Sequence, residues 1–206
     1  MALNPVPDHS PPPAPPAEQR FILNGVSWEQ YEQLRELLDQ PGLRMTYLEG
    51  VLELMTPSRL HEDDKKMLAR LLEAYALERG IALNGYGSTT FRRRAEERGA
   101  EPDECYMVGV SVDREDNVTP PHIALEVAIT SGGIDKLAVY RGLGVSEVWF
   151  WNGQQFRLYA LEAGGYAEIE RSRWLPDLDL AQLASFVGAR DQTAAVREYL
   201  RRLRQR

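Results

Sequence analysis

An α+β (α/β) domain is predicted by three observations. Read from Ser58 onward, the hydrophobic periodicity runs helix, strand, strand, strand, helix, strand. One strand, "HIALEVAI" (122–129), is apolar on both faces apart from Glu126, as expected of a central strand covered on both sides. The run "SEVWFWNGQQFRLYAL" (146–161) turns back at Asn152-Gly153, the strongest short-range hairpin signal.

The elements follow in order. Residues 1–20 contain "PVPDHSPPPAPPAEQR", too rich in proline and too poor in large apolar side chains to fold alone, and are expected to form an extended, mobile tail that includes His9. One domain is expected over 21–190, followed by a basic C-terminal helix over 191–206 packed on it. In "SWEQYEQLRELLDQPG" Ser27 and Gln30 form a capping box, Trp28, Tyr31, Leu34 and Leu38 share a stripe, and Pro41-Gly42 stops the helix. "RMTYLEGVLELMT" reads as a hairpin about Glu49-Gly50. In "SRLHEDDKKMLARLLEAYALERG" Met67, Leu68, Leu71, Leu72 and Tyr75 recur at helical spacing. Glu62, Asp63 and Asp64 suit the positive end of the helix dipole, and Gly80 ends it.

"IALNGYGSTTF" and "DECYMVGVSV" read as strands separated by the polar "RRRAEERGAEP". After "HIALEVAI", Ser131 is a candidate cap for a helix near "GIDKLAVYRG", closed by Gly142 and Gly144. "GYAEIERSR" is a further strand, and Val196, Tyr199, Leu200 and Leu203 share one face of the last helix.

Composition excludes several classes. Over 206 residues, 43% are hydrophobic and 27% charged, as in a soluble globular protein with a sizeable core. No apolar run reaches the length of a membrane span and no signal-peptide pattern opens the chain. The single cysteine, Cys105, permits no internal disulfide, which fits a cytoplasmic location. A net charge of -7 argues against a generic nucleic-acid coat but not against an enzyme with an acidic, cation-holding site and a local basic patch. Arg92, Arg93, Arg94 and the closing "REYLRRLRQR" are the candidate phosphate contacts.

Glu126 raises the chemical question. A carboxylate in a buried strand needs a partner, because removing it from water alone costs several kcal/mol. Asp103, just after Pro102, opens the preceding strand, and adjacent strands bring two such carboxylates together. Two close acids either share a proton or bind a divalent cation, and hard oxygens suit Mg²⁺ or Mn²⁺. Glu126 shares its face with Ala124, Ala128 and Thr130, which leave room for an ion, water and phosphate, while Ile123, Leu125, Val127 and Ile129 are core. Lys136, brought back over the strand end by the Gly132-Gly133 hinge, is placed to orient a metal-bound water.

Each residue also has a plainer reading: Asp103 as a turn cap, Glu126 as an arginine's ion-pair partner, Lys136 as an exposed helix residue. His61 and Glu62 open a helix whose end can reach a site, though surface or capping roles are the more common. His122 reads as structural, Glu49 and Glu53 as solvated carboxylates beside a turn, and Trp149 and Trp151 as core.

"TYLEGVLELMTPSRLHE", "EPDECYM", "LEVAITSGGIDKLAVYRGLGVSEVWFW" and "LPDLDLAQLASFV" together resemble the Uma family of putative restriction endonucleases, within the PD-(D/E)XK nuclease superfamily. The resemblance runs from Phe21 to the C-terminal helix. It implies a restriction-endonuclease-like core with a mixed central sheet flanked by helices, plus the N-terminal helix and hairpin. It also implies Asp103 and Glu126 as metal ligands. The superfamily's usual lysine would fall at Ala128; in this family it comes from the next helix, at Lys136, four residues before Tyr140. An acidic residue common in the hairpin of relatives would fall near Thr46, leaving Glu49 as its substitute.

The resulting expectation is a Mg²⁺- or Mn²⁺-dependent endonuclease hydrolysing DNA phosphodiester bonds. Asp103 and Glu126 hold metal, Lys136 positions water, and His61 or Glu49 assists. A two-fold homodimer is expected on symmetry grounds. The alternatives are a catalytically inactive nuclease-fold protein serving as an interaction or nucleic-acid-binding module, and a carboxylate-based glycosidase, which gives Lys136 no role.

Overall fold

The computed structural model describes residues 18–38, 40, 42–111, 113, 119–128 and 133–205. The elements β1 (Gln19–Asn24), α1 (Trp28–Leu37), β2 (Arg44–Leu48), β3 (Val51–Thr56) and α2 (Arg59–Arg79) come first. They are followed by β4 (Leu83–Gly85), β5 (Phe91–Arg93), β6 (Arg98–Ala100), β7 (Glu104–Val108) and β8 (Ile123–Val127). The chain ends with α3 (Lys136–Leu143), β9 (Glu147–Trp151), β10 (Phe156–Glu162), β11 (Gly165–Ile169), α4 (Leu180–Ala184) and α5 (Gln192–Leu203).

The strands form two sheets. The first has the order β1-β3-β2-β6-β5 and the second β11-β10-β9-β8-β7-β4. Among the described residues only β8 and β9 pair in parallel, across the α3 crossover, so the second sheet is mixed. This sheet is central. Met67, Leu68, Leu71, Leu72 and Tyr75 of α2 pack on one face with Leu125, Val127, Trp149, Trp151 and, from α5, Tyr199 and Leu203. On the other face Val139, Tyr140 and Leu143 of α3 meet Cys105, Ala124 and Val148. The alternation read from "HIALEVAI" thus has its physical cause, with Ile123, Leu125 and Val127 toward α2 and Ala124 toward α3.

Local signals hold where a specific hydrogen bond enforces them. Ser27 accepts from the Gln30 amide while the Gln30 side chain accepts from the Ser27 amide, closing the box that starts α1. The β2–β3 hairpin turns at Glu49 (φ 43°) and Gly50 (φ 85°), the doubly left-handed geometry of a tight two-residue loop. Gly80 closes α2 in the left-handed region.

Three readings are corrected. Gln19 and Arg20, assigned to the tail, begin β1 and pair with Thr56 and Met55; β1 is an edge strand whose Phe21, Ile22 and Leu23 are all exposed, so no alternation betrays it. The rest of the proposed tail, 1–17, lies outside the described residues. The polar stretch 92–102 is not a mere separator. Phe91 and Ala100 are buried and pair across a β5–β6 hairpin that extends the first sheet, with arginines on its edge strand. The cap of α3 is Asp135, which accepts from the Ala138 amide at 3.1 Å; Ser131 lies outside the described residues, as do Ile129, Thr130, Gly132 and Pro41.

Candidate active site

Asp103 stands one residue before β7, whose Glu104 pairs with Leu125 of β8, so the antiparallel register brings Asp103 opposite Glu126. Both are buried, at 1% and 5% exposure. Asp103 Oδ2 accepts the Val127 backbone N–H at 2.8 Å and Oδ1 lies 2.9 Å from His61 Nε2. The other imidazole nitrogen lies 3.2 Å from Glu18, so His61, with no exposed surface, is held between two carboxylates. Burial alone would push the imidazole down, but its acidic neighbours hold it above the usual histidine range. Burial would raise Asp103; the His61 contact, the Val127 amide and Lys136 more than offset this and hold the carboxyl below its ordinary value.

Glu126 receives its donors from α3. Lys136 Nζ lies 3.1 Å from Oε1, and the Tyr140 hydroxyl donates to the same oxygen. The two residues are four apart on one helix, so a single face delivers both. Burial, and repulsion from Asp103, push the Glu126 carboxyl up despite Lys136. A cavity of about 620 Å³ opens here, lined by Glu126 and Lys136 and, farther along, by Arg20, Asn152, Arg157 and Tyr159.

Asp103, Glu126, Lys136 and His61 therefore come together, His61 acting through Asp103. Glu49 does not join them. Its place in the turn aims the side chain outward, 66% exposed, onto Arg98 at 2.7 Å. The acid missed is Glu53. It pairs across the sheet with Thr46, where the hairpin acid was expected, and is 1% exposed. Its carboxylate lies 3.4 Å from Arg20, which also contacts Glu18, and accepts the Ile134 amide at 3.1 Å. The only signal available in the sequence was the alternation of β3, which puts Glu53 on the face of the core residue Met55.

The basic runs lie in surface contacts. Arg92 and Arg94 pair with Glu32 and Glu29 of α1, Arg93 donates to Gly142 O, and Arg201, Arg202 and Arg204 pair with Glu198 and Glu78. Glu62 is exposed and paired with Lys65. His122 is structural, accepting the Val108 amide and stacking on Trp174. Cys105 is buried, and burial pushes its thiol up to about 12.

The donor set can be tested against a metal. Among the described residues no three His, Cys, Asp or Glu side chains are grouped as a cage. Two ionisable carboxylates opposed across β7 and β8, one of them lining a cavity, do fit Mg²⁺ or Mn²⁺, which keep much of their water and take one or two protein carboxylates plus substrate oxygens.

A mixed sheet between α2 and α3, with its acids at one end of adjacent strands, defines an α+β fold of the restriction-endonuclease-like class. The chain belongs to the Uma2 family, described as putative restriction endonuclease, whose model matches residues 28–194. No curated protein matches the chain. No helix among the described residues is long and apolar enough to cross a membrane.

Proposed function

We propose that this protein is a metal-dependent endonuclease that hydrolyses DNA phosphodiester bonds. The observation that carries the reading is the 3.1 Å contact of Lys136 with Glu126, beside buried Asp103 and open to a cavity. Family membership supports a nuclease.

Asp103 and Glu126 would hold Mg²⁺ or Mn²⁺; when bound, such an ion lowers the pKa of a coordinated water and offsets charge on the phosphate. The chain's own residues do the rest. His61 and the Val127 amide fix the Asp103 carboxylate in one orientation, leaving lone pairs on both oxygens. Tyr140 fixes Glu126 from within the core. The Lys136 ammonium, 15% exposed, faces the cavity, where it can orient the attacking water and stabilise negative charge as the phosphorus is attacked.

The test joins calorimetric titration of Mg²⁺ and Mn²⁺ with plasmid nicking. Wild type should bind metal and nick. Asp103→Asn and Glu126→Gln should lose both, and Lys136→Ala should bind metal without cleaving. Absence of binding at millimolar metal, with no nicking, would make the inactive nuclease-fold protein the better account.

A further inference from the structure

Glu53 is a buried acid that the chemistry above leaves unused. Its Oε2 accepts the backbone N–H of Ile134, two residues before Lys136. Gly133, at the same turn, has φ +106°, and a Cβ on it would lie 2.1 Å from Glu53 Oε2 and 2.9 Å from Arg20 Nη1. The turn into α3 is therefore pressed backbone-first onto the carboxylate, in a conformation L side chains rarely adopt. Arg20 holds the same carboxylate at 3.4 Å.

The contact matters because of where the lysine comes from. Lys136 and Glu126 are ten residues apart, on different elements. A lysine on β8 would be aimed by the strand's own pleat. One on α3 is aimed only as well as the start of α3 is held, and misplacement by about 1 Å can cost a reaction about 100-fold.

We propose that Glu53 is a positioning residue: by fixing the Gly133–Ile134 turn it sets the first residue of α3, so that the Lys136 ammonium stays on Glu126. The proposal rests on the assignment of Lys136 to DNA cleavage. It explains why a buried carboxylate on β3 bonds to the backbone of a turn far along the chain, and why that turn carries a glycine.

The experiment uses Glu53→Ala, Glu53→Gln and Gly133→Ala in the full chain, each alone and combined with Lys136→Ala. Two signals are followed, Mg²⁺-dependent plasmid nicking and the ¹⁵N resonance of the Lys136 ammonium. The only other lysines are Lys65 and Lys66, so that resonance is readily assigned. Glu53→Ala and Gly133→Ala should lower kcat about 100-fold with little change in KM. They should also move the Lys136 resonance toward that of exposed Lys66. Glu53→Gln, whose amide oxygen can still accept from Ile134, should recover most of the activity. Combined with Lys136→Ala, neither variant should change metal affinity or slow the residual cleavage further.

Losses that add to that of Lys136→Ala, or an unmoved resonance, overturn the proposal. If wild type cleaves no DNA, the nuclease assignment fails and the resonance alone decides whether Glu53 positions Lys136. If Glu53→Ala does not fold, Gly133→Ala, whose added methyl displaces the turn while both charges of the Arg20–Glu53 pair stay in the chain, decides.

Discussion

Two buried glutamates on neighbouring strands, Glu126 of β8 and Glu147 of β9, teach different things. Glu147, 1% exposed, is satisfied by neutral donors: the Trp149 indole at 2.9 Å, the Ser172 hydroxyl at 2.8 Å and the Arg173 amide at 2.6 Å. It ties the segment after β11 to the sheet. Glu126 faces a second carboxylate, takes a cation and a phenol on one oxygen, and borders a cavity. Burial alone does not separate a structural acid from a chemical one; the charge of the neighbours does.

The comparison breaks most sharply in stability. Glu147→Ala orphans the donors it holds, each costing about 1–3 kcal/mol, and should destabilise the fold by about 3 kcal/mol or more in chemical denaturation. Glu126→Gln keeps an acceptor for Lys136 and Tyr140 and should shift stability by less than about 1 kcal/mol while abolishing metal binding. If the two variants lose stability alike, the distinction is wrong.

Much of this arrangement was legible in the sequence, and the failures have physical reasons. Glu126 stood out because a lone acid in an apolar run must be paired, and Asp103 because a strand after Pro102 supplies its neighbour. Glu18, Arg20 and Glu53 were not legible. Their burial arises from β1 pairing with β3 and from a turn folding onto Glu53, contacts between distant parts of the chain. Glu49 was misassigned because a turn residue in sequence resembles a site residue until its left-handed backbone shows which way it points. The arginine runs read as candidate phosphate contacts lie in exposed ion pairs with neighbouring acids, weak enough to yield to a phosphate, so residue type alone does not say which of them meets DNA.

Asp64 sharpens the comparison at intermediate size. It is buried on α2 and accepts the Trp151 indole N–H at 2.8 Å, with no salt bridge to it among the described residues. Burial pushes its carboxyl up, the Trp151 bond only partly opposing this. A raised acid in the folded state binds more protons than the unfolded chain between the ordinary and the raised value, so stability falls as pH climbs through that window and stays lowered above it. Asp64→Asn keeps the acceptor without the charge. It should match wild type well below the carboxylate range and equal or exceed it at pH 7, read as denaturation midpoints across that range. Asp64→Ala should cost about 1–3 kcal/mol at either pH, because the indole is left unpaired.

The smallest expected effect compares two exposed arginines. Arg157 pairs with Glu168, and Arg204 with Glu78, in surface ion pairs of the kind worth about 0–1 kcal/mol, so either is free to exchange its carboxylate for a phosphate. Only position differs. Arg157 lines the 620 Å³ cavity with Glu126 and Lys136, and also a larger one of about 1160 Å³ along β10, β11 and α4. A DNA strand whose phosphate reaches Lys136 would carry its neighbouring phosphates toward Arg157. Each phosphate contact contributes about 0.9 to the slope of log affinity against log salt. Arg157→Ala should therefore weaken binding of a fluorescent duplex without Mg²⁺ and flatten that slope by about one, while Arg204→Ala leaves both unchanged. Equal slopes for the two variants would mean that the duplex does not run along β10, and would move the search for phosphate contacts to another side of the cavity.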